Sequence, residues 1–190
     1  IDIREESVCL TLLGKNFYQT DILATKYIPI NLSDMENVKS QDRFLEQINQ
    51  FIMKAHAWVE NVAVSLPRSK VTVQSFELPA PDRKSLDSVM KFELERHFSS
   101  DIESFYYSNH ISARENNQYH IICAAIKKDT ANQYLELLQK LNLKTTILDV
   151  STFANLNLVR PNGEHNETLS VMIDLSLSCV EISILNNGTL

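Results

Sequence analysis

The chain has 190 residues, enough for one large domain or one domain plus part of a second. Its net charge is −6 and its Lys and Arg never form a run, which excludes the concentrated positive face that nucleic-acid binding needs. No apolar run approaches the ~20 residues that span a bilayer, no stretch reads as a signal peptide, and only three glycines are present to build phosphate-cradling loops. The chain begins with Ile1 rather than Met. It therefore reads as a trimmed piece, with room for a membrane anchor beyond Leu190.

Alternation predicts strands over residues 1–13 and 22–30. Ser33 and Glu36 have capping-box spacing, but the apolar run behind them is weak. A helix is expected from near Gln41, with Phe44, Leu45, Ile48, Phe51, Ile52 and Ala55 on one face and Trp58-Val59 closing it. Val62 to Leu66 reads as a short buried strand ended by Pro67. A strand over Val71 to Leu78 follows, stopped by Pro79 and Pro81. Next comes a helix over about 84–98, carrying Leu86, Val89, Met90, Leu94 and Phe98.

Phe105 to Ser112 and Tyr119 to Ile126 read as strands joined by a Glu115-Asn116-Asn117 turn. Asp129 caps a helix with Ala131, Tyr134, Leu135, Leu138 and Leu141 on its face, and Asn142 is its left-handed stop. Thr145 to Val150 is a strand, and Ser151 caps a short helix with Phe153, Leu156 and Leu158. Residues 160–167 (RPNGEHNE) are polar and aperiodic, the best linker in the chain.

One phrase occurs twice. Ile1-Asp2-Ile3-Arg4 runs on to Ser7-Val8-Cys9-Leu10-Thr11-Leu12, and Ile173-Asp174-Leu175-Ser176 runs on to Cys179-Val180-Glu181-Ile182-Ser183-Ile184. Each sets one Asp between apolar residues, then a polar turn, then an alternating strand. Copies this far apart imply a duplicated plan rather than a solenoid, whose repeats are short. Cys9, Cys123 and Cys179 each sit in an apolar, strand-like run, which favours free buried thiols in a reducing compartment. The N-x-S/T triplets at Asn31, Asn166 and Asn187 are read as chance.

The order of these elements resembles the PilM family of actin-like pilus assembly proteins, with the cytoplasmic domain of the secretion protein GspL as a near relative. The stretches that carry the resemblance are IDIREESVCLTLL, residues 66–107 from LPRSKVTVQSF to SFYY, residues 121–159 from IICAAIKKDT to NLNLV, and VMIDLSLSCVEISIL. The resemblance implies a mixed α/β fold. Its actin-like (ribonuclease H-like) lobe would comprise residues 1–68 with 150–160. A strand–helix–strand–strand subdomain of the type seen in FtsA would be inserted at 69–149. Residues 161–190 would hold a linker and the first hairpin of a second lobe, truncated there.

The family's fold implies a nucleotide cleft between lobes, walled by the two Asp hairpins. Members that bind nucleotide carry Asp-x-Gly in both. Here those glycine positions hold Arg4 and Ser176, and the family's Lys has its counterpart at Cys9. Phosphates are held by backbone N–H groups of tight turns, backed by a carboxylate on the metal. Two readings stay open. Asp2, Ser7, Asp174 and Ser176 hold Mg-nucleotide, or Asp2 and Asp174 are turn carboxylates paired with backbone N–H groups or with Arg4. The loss of both glycines favours the second, so neither catalytic residues nor a cofactor are expected, with ATP and Mg the alternative.

Other candidates are weaker. His110, His120 and Cys123 lack a convincing further ligand for a metal. Glu93 and Glu95, two apart on a helix, point to different faces, and with Asp101 and Glu103 they read as solvated charge. Ser65 and Ser151 lack a local acid–base partner, and His56 and His165 are isolated. Phe98, Phe105, Tyr106 and Tyr107 beside an acidic turn, and Tyr27-Ile28-Pro29-Ile30, are core or a groove for a partner peptide.

By resemblance, the chain is similar to a cytoplasmic scaffold at the bacterial inner membrane. It would bind the tail of a platform membrane protein, or the assembly ATPase, of a type IV pilus or type II secretion system. Homodimerisation is included in that expectation, and membrane association would come through the partner or an anchor. The runner-up is a nucleotide-binding actin-like ATPase of the PilM or FtsA type.

Overall fold

β1 (Asp2–Ile3) turns back on β2 (Ser7–Lys15), and β2 on β3 (Thr20–Pro29), as an antiparallel meander. On its other edge β1 runs parallel to β4 (Val62–Leu66), and β4 runs parallel to β8 (Thr145–Val150). The result is a mixed five-stranded sheet of order β3-β2-β1-β4-β8. The structure is a computed structural model and describes residues 1–16, 18–31, 37–56, 58–79, 82–97, 102–115, 118–159 and 169–186.

Two compact units form, Ile1–Arg68 with Leu135–Leu190, and Ser69–Tyr134. The sequence assigned residues 145–149 to the insert. Their pairing with β4 puts them instead in the five-stranded sheet, where a parallel strand satisfies its backbone groups.

In the first unit, helix α1 (Val38–Lys54) buries Phe44, Leu45 and Ile48, the face that the periodicity marked. It starts earlier than Gln41 because Asn37 caps it, its Oδ1 accepting from the Lys39 N–H at 2.9 Å. It also ends before Trp58-Val59. His56 takes a left-handed backbone (φ 48°) just past the Ala55 cap, and Trp58 is exposed beyond it. Helix α4 (Ser151–Val159) follows β8 directly. The strands β9 (Leu169–Leu175) and β10 (Val180–Asn186) form a separate antiparallel pair.

The second unit is an antiparallel sheet of order β5-β7-β6, made of β5 (Thr72–Pro79), β6 (Phe105–Glu115) and β7 (Gln118–Lys127). Helix α2 (Arg83–His97) supplies Leu86, Met90 and Leu94 to a core shared with Phe76, Leu78, Tyr119 and Ile121. Tyr119, Ile121, Cys123 and Ala125 alternate along β7, so one face of the strand enters that core at period two. The division between the units falls inside helix α3 (Lys128–Gln139). Asp129 lies in the first turn of α3 rather than before it, where a carboxylate still complements the helix dipole. Asn142 does take the left-handed backbone expected of a stop (φ 56°).

The Ser33–Glu36 spacing, Pro81, Phe98, Asp101, Asn116-Asn117, the 160–167 linker with His165 and Asn166, and Asn187 lie outside the described residues.

Candidate functional site

The twin phrase is a twin in space. In the first copy Asp2 lies opposite Cys9 and Ile3 opposite Val8. In the second Asp174 lies opposite Glu181 and Leu175 opposite Val180. The turns close in the same way, the Arg4 N–H on the Ser7 carbonyl at 2.8 Å and the Ser176 N–H on the Cys179 carbonyl at 3.0 Å. Asp2 matches Asp174, Arg4 matches Ser176, and Ser7 matches Cys179.

The two hairpins meet through one side chain. Arg4 donates from Nε to Asp2 Oδ2 and from a terminal nitrogen to Asp174 Oδ1, both at 2.9 Å. Asn155 of α4 donates to the other oxygen of Asp174, also at 2.9 Å. One turn earlier on the same helix, the buried Thr152 hydroxyl donates to Glu181 of β10. The side chains of Arg4, Asp2 and Asp174 are 30%, 32% and 18% exposed, so this network is partly withdrawn from water. Burial alone would lower the Arg4 pKa. The hydrogen bonds and charges of Asp174 and Asp2 outweigh it and hold the group above its ordinary value.

A cavity of about 380 Å³ opens beside the network, lined in part by Arg4, Ser7, Cys9, Tyr27, Leu175 and Ser176. Ser7 is buried. Ser176 staples its own turn, its Oγ accepting from the Cys179 N–H at 3.1 Å and donating to the Cys179 carbonyl at 2.9 Å. Ser65 sits opposite Asp2 on β4, and its enclosed Oγ has no hydrogen-bond partner among the described residues.

These residues do not fit a metal–nucleotide. A divalent cation needs carboxylate oxygens turned toward it. Here Asp2 Oδ2 and both oxygens of Asp174 already accept from Arg4 and Asn155. A phosphate needs backbone donors at the turn. The N–H groups of Arg4 and Ser176 are each directed into their own turn. The arrangement joins the two hairpins.

The remaining sequence candidates lie apart. Glu77 and His120 face each other across β5–β7 at 3.5 Å, His110 lies on β6, and among the described residues no three or more His, Cys, Asp or Glu converge as a metal site. Glu93 pairs with Arg96 at 2.7 Å, and Glu95 approaches Lys91 at 4.0 Å. Phe105 packs on the second unit's core. Tyr106 is exposed, with its hydroxyl on Asn132 at 3.2 Å and Lys128 over its ring. Tyr27 is exposed while Ile28 is fully buried. Cys123 is buried, but Cys179 is exposed rather than core: it lies ahead of β10 on a two-stranded hairpin, whereas its counterpart Ser7 is buried in the five-stranded sheet.

Thr152 and Asn155 were missed in the sequence. Their signal was present: two polar residues three apart on a short helix whose other residues are mostly apolar, a spacing that places both on one face.

Among solved structures, the chain is similar to the "PilM-PilN type IV pilus biogenesis complex", with TM-score 0.82 and 18% identity, over 99% of this chain and 57% of that one. It is also similar to the cytoplasmic domain of EpsL, an inner membrane component of the type II secretion system of Vibrio cholerae, with TM-score 0.56 and 16% identity, over 98% of this chain and 68% of that one. No curated protein matches by sequence. The mixed α/β fold is thus the actin-like one of these proteins, and the chain spans 57% of the length of the PilM chain it matches. The family described as type IV pilus assembly protein PilM matches residues 1–190, and the twin acidic hairpins stand at the two ends of that match; the chain belongs to the PilM family.

Proposed function

We propose that this protein is a cytoplasmic scaffold of the inner-membrane platform of a type IV pilus or type II secretion system. It works by holding the cytoplasmic tail of a platform membrane protein, not by catalysis. Family membership and the two solved relatives support the machine. The observation that carries the non-enzymatic role is Arg4, whose guanidinium engages Asp2 and Asp174 where a metal–phosphate group would need them open. No described helix is long and apolar enough to cross a membrane.

The test is capture of the purified cytoplasmic tail of the platform protein, with the assembly ATPase as a second bait. Micromolar binding of the tail is expected; failure of both baits sinks the reading. One observation favours a second reading, a nucleotide-binding actin-like ATPase: the cavity beside Arg4, with Ser7 and Ser176 in its wall. Calorimetric titration with Mg-ATP decides between the two. Tight binding that Asp2→Ala abolishes establishes the second.

A further inference from the structure

We propose that Arg4 is a built-in counter-ion that fastens the β9–β10 hairpin to β1 and does so by occupying the position a divalent cation would otherwise take between Asp2 and Asp174. The inference rests on reading the site as closed to nucleotide, and goes beyond it by assigning the closure to one replaceable side chain.

Three observations converge. The first is geometric. The guanidinium reaches Asp2 on its own hairpin and Asp174 on the other at the same 2.9 Å, so Arg4 ties its hairpin to a residue 170 positions away in sequence. The second is the absence of symmetry where the backbone is symmetric. Among the described residues the equivalent side chain, Ser176, binds only within its own turn, so the link between the hairpins runs one way. The third is charge. Asp2 and Asp174 are like charges that both lie against the Arg4 guanidinium, and they lose their shared counter-ion when it is removed. A planar guanidinium satisfies two carboxylates at once, which an ammonium or a water does less well.

Removing the arginine therefore does two things. It releases the hairpin from β1, leaving Thr152–Glu181 and Asn155–Asp174 to hold it through α4. It also exposes two facing carboxylates, the donor type that a hard divalent cation takes while keeping several waters.

The test uses the full chain and Mn²⁺ as the probe. Thermal midpoints are recorded in chelator and in Mn²⁺, and binding is read from the loss of the free-ion electron paramagnetic signal. The wild-type midpoint is expected to be the same in both media. Arg4→Gly is expected to melt lower in chelator, to recover in Mn²⁺, and to bind Mn²⁺ about tenfold or more tightly than wild type. The double variant Arg4→Gly/Asp174→Asn is expected to lose that recovery.

Equal Mn²⁺ binding by wild type and Arg4→Gly overturns the proposal, as does an Arg4→Gly midpoint matching wild type in chelator. If Arg4→Gly does not fold, Arg4→Gln keeps the bulk and removes the charge. Its midpoint must then fall, and an unchanged midpoint overturns the proposal. Wild type that binds Mg-ATP sinks the non-enzymatic role itself. Wild type that ignores Mg-ATP while the variants show no rescue sinks only the clamp.

Discussion

The two acidic hairpins share one register and one turn, yet they are completed differently. The first is flanked on both edges, by β3 beyond β2 and by β4 beyond β1, and Ile3, Val8 and Leu10 are buried. The second is a two-stranded sheet. Its inner face carries Asp174, Glu181, Ser183 and Leu185 and touches Arg4 and α4. On its outer face the cross-strand pairs Leu175–Val180, Ile173–Ile182 and Val171–Ile184 are all more than half exposed. Local sequence therefore dictates the turn and the alternation, while burial is set by what neighbours the strand. A two-stranded pair is marginal alone, so the second hairpin depends on the contacts of its inner face.

That contrast is broken most forcefully at two equivalent positions. Leu10 is 2% exposed and its counterpart Ile182 is 62% exposed. Leu10→Ala is expected to lower unfolding stability by about 2–5 kcal/mol. Ile182→Ala should change it by less than about 0.5 kcal/mol. Urea melts of the two variants check this, and similar losses at both sites would mean that the outer face is covered in solution.

The cysteines give the next largest effect. Burial pushes the Cys123 thiol up to about 11 from an ordinary 9.0. A raised thiol pKa contributes stability that is whole below pH 9 and is lost as pH rises through about 11. Its full size is about 3 kcal/mol, at about 1.4 kcal/mol per pH unit. The stability difference between wild type and Cys123→Ala should therefore narrow across that window. Cys179, exposed at the second turn, should be alkylated first at neutral pH and Cys123 last. A labelling order beginning with Cys123 would place the core elsewhere.

Thr152→Val removes the hydroxyl that holds Glu181 and should cost about 1–2 kcal/mol. The same variant should increase proteolytic cleavage in β9–β10 without affecting β1–β2. Equal protection of both hairpins would show that Arg4 and Asn155, both on Asp174, suffice as anchors.

Much of this was legible because it is local. The twin phrase, the strand Val62–Leu66, the apolar face of α2 and the stop at Asn142 all follow from alternation, helical spacing or turn chemistry within a few residues. What was illegible lies at helix ends and across long separations. The first turn of α1 buries nothing, and Val38 is exposed, so periodicity had no hold on a start fixed by the Asn37 side chain. Cys179 looked like core because its neighbours are apolar, but its hairpin pairs with no further strand among the described residues, whereas the equivalent Ser7 is buried in the five-stranded sheet. Pairing of Asp2 and Asp174 with Arg4 stood among the alternatives the sequence left open. That one guanidinium holds both at once, and that Asn155 completes Asp174, required the structure.

The smallest effect tests the asymmetry of the two turns. Ser176 and Arg4 occupy the same place in their hairpins, but the Ser176 hydroxyl engages only Cys179, whereas Arg4 engages Asp2 and Asp174. Ser176→Ala should cost about 0.5–1 kcal/mol, because it removes an exposed hydrogen bond and leaves no buried group unpaired. Combined with Arg4→Ala it should be additive to within about 0.5 kcal/mol, since the two side chains share no partner. The cycle of Arg4→Ala with Asp174→Ala should instead show coupling above about 1 kcal/mol, because each single variant strands the other's charge in a partly dry site. Coupling of similar size in both cycles would mean that the two turns act as one unit and that the clamp is not confined to Arg4.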